Sequence, residues 1–300
     1  MSTATDVSLH SSCCSACSLC YSSLSRSILG KKPQVRFLSH ISRAQTNLAV
    51  PRRISTNRTI IPATLFAFAI GGAVFPVVYY LPIWFQAIAS LSPITSAVHT
   101  LPLILSQLLS TILAGALTTR LGTQMPFVYL SAILLPVGIG LLKTFHTHMP
   151  AGKWIGYQIL TGFGFGFGFQ QATVAAQASL PMTDIPIGTA VVFSAQFLGG
   201  AVFLSVAENA FENHLVTYVE ELGITGLDPR VIVRTGATEL RGLVGPGKLE
   251  SLLGAYDHAI TKSFEVGLCV SCVMIVGAVG MPWTRMKNAL VTGIRDDDGV

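Results

Sequence analysis

TIIPATLFAFAIGGAVFPVVYYLPIWFQAIASLSPITSAVHTLPLILSQLLSTILAGALTT, from Thr59 to Thr119, contains no Asp, Glu, Lys or Arg. A helix needs roughly 20 apolar residues to cross a bilayer. The run therefore holds two spans and a short turn at 84–97. Four further charge-free runs follow: Leu121 to Leu142, Trp154 to Thr183, Ile185 to Ala207 and Val266 to Thr284. Each has room for one span. The six expected spans lie near 62–83, 98–118, 126–145, 156–178, 186–207 and 264–284.

The remaining composition agrees. Only 11% of residues are charged and 51% are hydrophobic, against about 25% charged in soluble domains. A soluble chain of 300 residues needs a charged surface that this one lacks. Its 28 Gly and 15 Pro fit spans, where both residues are commoner than in soluble helices. The expected fold is an all-α integral membrane protein with about six transmembrane helices in one bundle.

Residues 1–58 are different in kind. Arg26, Lys31, Lys32, Arg36, Arg43, Arg52, Arg53 and Arg58 face a single acid, Asp6, in a Ser- and Cys-rich background without sustained periodicity. The composition reads as a basic, disordered arm and also resembles a mitochondrial transit peptide. No apolar run sits near Met1, so there is no clean secretory signal. Positive charge stays on the cytoplasmic side. Both termini are then cytoplasmic, with the bundle over 59–287 and a tail over 288–300. Arg120, Arg285, Lys287 and Arg295 fall inside, while Lys143 and Lys153 fall outside against the rule. The segment 208–262, with eight acids and five bases, is expected outside. It starts as an extension of the fifth helix through Glu208, Glu212 and Glu220, until Gly223, Gly226 and Pro229 break it.

Cys13, Cys14, Cys17 and Cys20 contain two overlapping CxxC spacings, which suit zinc. No second ligand pair follows at finger spacing, so no metal is expected; acylation of these thiols beside a membrane has equally little behind it. Cys269 and Cys272 read as small packing residues in the last span. No GxSxG, Walker loop or HExxH occurs, and neither catalysis, a cofactor nor nucleic acid is expected. Gly162, Gly164, Gly166 and Gly168 imitate a nucleotide loop but follow no strand. In a span, such glycines permit close helix packing and bending, as do Gly199 and Gly200.

Polar residues within spans are costly and must face protein or water. Gln86, Gln107, Gln158, Gln170, Gln171, Gln177 and Gln196 qualify. Neutral amides both donate and accept. Tyr80, Gln158, Gln170, Gln171 and Gln196 are the candidates for lining a cavity that takes a small amphipathic organic substrate. Helix–helix hydrogen bonding is the competing reading for each. Ionisable groups are scarce: Asp184 falls at a turn, Glu208 at a helix end, and His99 reads as a structural hydrogen-bonder.

Several segments together form one pattern. They are Asn57-Arg58-Thr59; Val78-Tyr79-Tyr80-Leu81-Pro82-Ile83-Trp84-Phe85-Gln86; Leu101-Pro102-Leu103; Arg120-Leu121-Gly122; and Gly152-Lys153-Trp154-Ile155-Gly156-Tyr157-Gln158. The pattern continues with Gly162 to Gln171, Asp184 to Ala190 and Gln196 to Gly200. Over about residues 50–287 the chain resembles the C-terminal half of a fungal major facilitator superfamily (MFS) efflux pump, of the fourteen-helix drug:proton antiporter and toxin-exporter type. The resemblance implies alternating access by two six-helix bundles around a central site, and proton-driven export of drugs or secondary metabolites, with the plasma membrane as default. Relative to that family the N-terminal bundle, the two extra central helices and the antiporter signature have no counterpart here. Ala172 follows Gln171 where the family often has Gln-x-Pro. A homodimer, a separate partner bundle and an inactive truncated protein all stay open.

Overall fold

The computed structural model describes residues 57–146, 149–221 and 246–283. The arm 1–56, the segment 222–245 and the tail from 284 lie outside the described residues, and with them Cys13, Cys14, Cys17 and Cys20. The described residues are helical, without a strand. The helices are α1 (Ile60–Ala87), α2 (Pro93–His99), α3 (Leu101–Leu121), α4 (Met125–Leu142), α5 (Ala151–Phe169), α6 (Gln171–Ser179), α7 (Ile185–Glu221) and α8 (Pro246–Gly280).

Among the described residues, five stretches are long and apolar enough to cross a membrane: Ile60–Ala87, Pro93–Leu121, Met125–Leu142, Ile185–Val219 and Ser251–Gly280. The chain is an integral membrane protein. The span expected near 156–178 is instead divided at Gln170 into α5 and α6. Gln170 keeps right-handed helical dihedrals, φ −94° and ψ −15°, so the interruption is a single residue wide. At its other boundaries the helical structure outruns the charge-free runs. α7 continues to Glu221, and α8 starts at Pro246 rather than near 264. With 37 residues, α7 is about 55 Å long at 1.5 Å per residue, well beyond the roughly 30 Å of hydrocarbon.

Turn chemistry sets the connections. Ser92 caps α2, its hydroxyl accepting from Thr95 N at 3.2 Å, with Pro93 in the first turn, where its missing N–H costs nothing. Ser96 Oγ donates to Pro82 O at 2.6 Å, which fastens α2 back onto α1. Gly122 ends α3 with φ 66°, the left-handed cap that glycine adopts without strain.

The packing has a simple logic. The first trio of long helices is α1, α3 and α4; the second is α5, α7 and α8. The four largest interfaces are α1 with α7, α1 with α8, α5 with α3 and α5 with α4. The lead helix of each trio thus packs against the second and third helices of the other. This exchange is the signature of two three-helix repeats in opposite topology. Contacts of α4 with α8 and of α7 with α8 close the bundle. α1 forms its core, with 67% of its most apolar 18 residues buried, whereas the corresponding 18 residues of the α2–α3 stretch Pro93–Leu121 are only 22% buried. On α3, Leu105, Leu108, Leu109 and Ile112 are each more than half exposed. Helix surfaces this apolar belong in lipid or against further protein.

Candidate functional site

α5 carries glycines on two faces. A side-chain carbon on Gly162 would run into Ser106 and the Leu103 carbonyl of α3; one on Gly166 would meet Ser110 and the Gln107 carbonyl. On the other face, Gly164 is blocked by the Leu135 backbone and Gly168 by Ser131, both of α4. The bared α5 carbonyls then accept from neighbouring hydroxyls: Ser131 Oγ donates to Gly164 O at 2.6 Å, Thr111 Oγ1 to Gly166 O at 3.2 Å, and Ser110 Oγ to Gly162 O at 3.3 Å. A second glycine seam joins α1 and α7. Gly199 faces the Phe68 carbonyl and Gly200 the Phe75 ring, while Gly71 faces the Gln196 backbone and Gly72 the Phe203 ring. Close backbone approach of this kind is how helices associate where lipid removes any hydrophobic gain.

The candidate cavity residues occupy three levels of the bundle. Tyr80 is 3% exposed and packs its ring against Phe211 at 5.4 Å and Tyr79 at 5.1 Å, near one end. Gln158 is fully buried on α5, and neither of its amide atoms has a partner among the described residues. Gln196 is 3% exposed, with Nε2 unpartnered, at the level of Gly71. That is nine residues before Tyr80 along α1, or about 14 Å. Gln170 is exposed, and Gln171 is buried beside Thr118, whose hydroxyl lies 3.5 Å from its Oε1, near the far end. These residues therefore do not form one cluster. Gln86 and Gln107 are half-buried, and Gln177 is exposed.

The end of the bundle around Tyr80 is built mainly from aromatic rings and charge. Trp84 packs against Phe85 and Phe145. Phe85 and His99 both meet Trp154, at 5.1 Å each. Glu265 of α8 pairs with Lys143 at the end of α4 and with Lys262 at 3.2 Å. Trp84 Nε1 donates to Asp257 Oδ1 at 2.6 Å. Asp257 had been counted with the outer segment 208–262, yet it is 9% exposed and sits inside α8. One signal for this was present in the chain: Leu252, Tyr256, Ala259, Ile260 and Phe264, all buried, recur at helical spacing.

α7 also carries an exposed stripe. Ser194, Phe197, Ala201, Ser205, Glu208 and Glu212 are all exposed. Their spacings of three or four put them on one face. Phe211 stacks near Tyr80, so Glu208 lies about level with Tyr79 and Tyr80, within the apolar length of α1. Tyr79 is 49% exposed.

A membrane-embedded bundle of exchanged three-helix repeats, with buried amides and a polar stripe on an outward face, has the architecture of a secondary transporter. Comparison with known proteins gives the family. No protein-family profile matches the chain. It is 43% identical over 239 residues to the efflux pump aflT of Aspergillus parasiticus, covering 80% of this chain and 46% of that protein. It is 42% identical over 246 residues to the MFS-type efflux pump MFS1 of Trichophyton rubrum, covering 82% and 46%. It is 38% identical over 255 residues to the MFS acetylaranotin efflux transporter ataA of Aspergillus terreus, covering 85% and 56%. The chain belongs to the MFS-type efflux pumps of fungi, and it spans about half the length of the curated relatives it matches.

Proposed function

We propose that this chain is one six-helix bundle of a pump that exports small amphipathic organic compounds by alternating access, working against a second bundle. The α7 stripe carries the reading. Lipid does not accommodate two glutamates and two serines on one face, so Ser194, Ser205, Glu208 and Glu212 belong against water or protein. The relatives are named as efflux pumps, one of them for acetylaranotin, which supports a secondary metabolite or toxin as cargo. The unpartnered amide of Gln158 and Nε2 of Gln196 are the polar groups we assign to substrate or to a rearranged state. Tyr80, Gln170 and Gln171 border the same pathway at other levels.

A second copy of this chain is a poor candidate for the second bundle. In a two-fold homodimer built on α7, each stripe would meet its own copy, which sets Glu208 and Glu212 near their equivalents. Like charges so placed repel. We further assign both termini to the cytoplasm and the protein to the plasma membrane, on the basic arm and the family default. A mitochondrial location is the alternative, from the Ser-rich basic composition of 1–58.

The test is export of a panel of fluorescent amphipathic compounds from cells that express the chain alone, or together with the N-terminal bundle of a related pump. Export that requires the added bundle is expected. Absence of export in both cases, with folded protein in the membrane, rejects the reading in favour of an inactive protein. Export by the chain alone replaces the second bundle with self-association.

A further inference from the structure

Asp257 has surroundings unlike those of the other acids described. Its Oδ1 accepts from Trp84 Nε1 at 2.6 Å, a bond that joins residues 173 apart in sequence. The donor is a neutral indole. The neighbouring acid Glu265 has two lysines, Lys143 and Lys262, while Asp257 has no ion pair among the described residues. Rings wall the pair off: Phe85 and Phe145 pack on Trp84, and Tyr256 meets Phe211 at 5.2 Å.

α1 offers Trp84, with Tyr79 and Tyr80 one turn away, and carries no Asp, Glu, Lys, Arg or His. The turn after α4 brings His146, next to the Phe145 that packs on Trp84, and α8 itself brings His258, next to Asp257 in the chain. α7 brings Tyr218, stacked on His258 at 5.6 Å, and His214, ring to ring with Tyr218 at 6.3 Å. His99 lies across Phe85. Among the described residues, the cationic groups that these elements bring towards Asp257 are therefore histidines, not permanent cations.

A carboxylate held this way has two stable partners: the indole N–H and a proton. A hydrogen bond to an ionised acceptor is roughly twice as strong as one to a neutral acceptor. Binding a proton removes the costly buried charge and weakens the indole bond in the same step. That bond ties α1, the lead helix of one trio, to α8, the third helix of the other. The residual 9% exposure of Asp257 leaves a path for the proton.

We propose that Asp257 is the proton-binding group of this bundle, and that proton uptake at Asp257 releases Trp84 and frees the α1–α8 contact at the aromatic end. A proton from solution adds to the carboxylate to give the neutral acid, and the return step gives it back to solution; nothing else is consumed. This deepens the pump reading, because it supplies the bundle with the group through which a proton gradient could act.

The test needs no transport. The full chain in lipid nanodiscs, carrying Trp154→Phe and Trp283→Phe, reports through Trp84 alone. The expected result is a one-proton titration of Trp84 emission that is lost in Asp257→Asn and retained in His146→Gln and His258→Gln. Emission independent of pH across the range over which the protein stays folded overturns the proposal. So does a titration that survives Asp257→Asn, or one that either histidine variant abolishes, which moves the proton to a histidine. Should Asp257→Asn fail to fold, Asp257→Glu serves: a titration with a moved midpoint is expected, and an unmoved one refutes the assignment. In cells, Asp257→Asn in the reconstituted pump should lose gradient-driven export while keeping downhill release. A Trp84 titration present without any export would retain the proton site and reject the pump reading alone.

Discussion

Gly164 should not tolerate even one added carbon. A side-chain carbon there would lie 2.5 Å from Leu135 N and 2.7 Å from Leu135 Cα, where ordinary contact begins at 3.4 Å. Both obstacles are backbone, so α4 as a whole must retreat by about 1 Å, lengthening the Ser131 Oγ to Gly164 O bond from its 2.6 Å. Overpacking of this kind costs about 1–3 kcal/mol, and a membrane hydrogen bond contributes about 0.6 kcal/mol on average. Against this, alanine gains about 1 kcal/mol over glycine in helix propensity. The net expectation for Gly164→Ala is a loss of about 0.6–2.6 kcal/mol. Gly156, two turns earlier on the same helix, supplies the control: nothing lies within 4 Å of an added carbon, so Gly156→Ala should be neutral or stabilising. Reversible unfolding of both variants in mixed micelles, followed by circular dichroism, gives the comparison. Equal stability of the two variants, or a Gly164→Ala protein more stable than the parent, would refute the close-packed α4–α5 seam.

Gln158→Leu and Gln196→Leu should leave stability unchanged or raised, since they remove buried amide atoms without a partner among the described residues, both of Gln158 and Nε2 of Gln196, whose burial is otherwise costly; export should nevertheless fall if the amides serve substrate, and full export in both variants returns them to packing. Glu265→Gln removes the acid shared by Lys143 and Lys262; these groups are partly exposed, so a loss of about 1 kcal/mol or less is expected in the same unfolding assay, diminishing at high salt. Ser131→Ala removes only the hydroxyl donation to Gly164 O and should cost less than Gly164→Ala.

The order of the spans was legible because exclusion of charge is a one-dimensional signal: Thr59 to Thr119 cannot be anything but bilayer helices and a turn. The ends were less so. Glu208, Glu212 and Glu220 mark where α7 acquires charge, not where it stops, and α8 begins at Pro246 because a helix can leave the hydrocarbon and continue in a polar setting. The glycine run announced close packing, but only the structure separates the α3-facing pair, Gly162 and Gly166, from the α4-facing pair, Gly164 and Gly168. The five candidate cavity residues looked like one set because all are polar or aromatic in apolar runs. Their height in the bundle depends on which helices pair, and that is what keeps Tyr80, Gln196 and Gln171 apart. Asp257 was hidden for a related reason. Its significance comes from Trp84, 173 residues away, and no periodicity within α8 points to that partner. The α7 stripe, by contrast, has a spacing readable in the chain, but which face α1 covers is not.

Thiol labelling of Ser205→Cys tests the central claim most directly. The variant would be made in a background whose native cysteines are serine, and assembled with a partner bundle in native membranes. The account predicts modification by a charged, water-soluble maleimide, slowed by exported substrate, while Leu109→Cys on the lipid-suited face of α3 stays unmodified. A Ser205→Cys protein as inert as Leu109→Cys, in folded and assembled protein, would place Ser205 away from water and contradict a water-filled export pathway along α7.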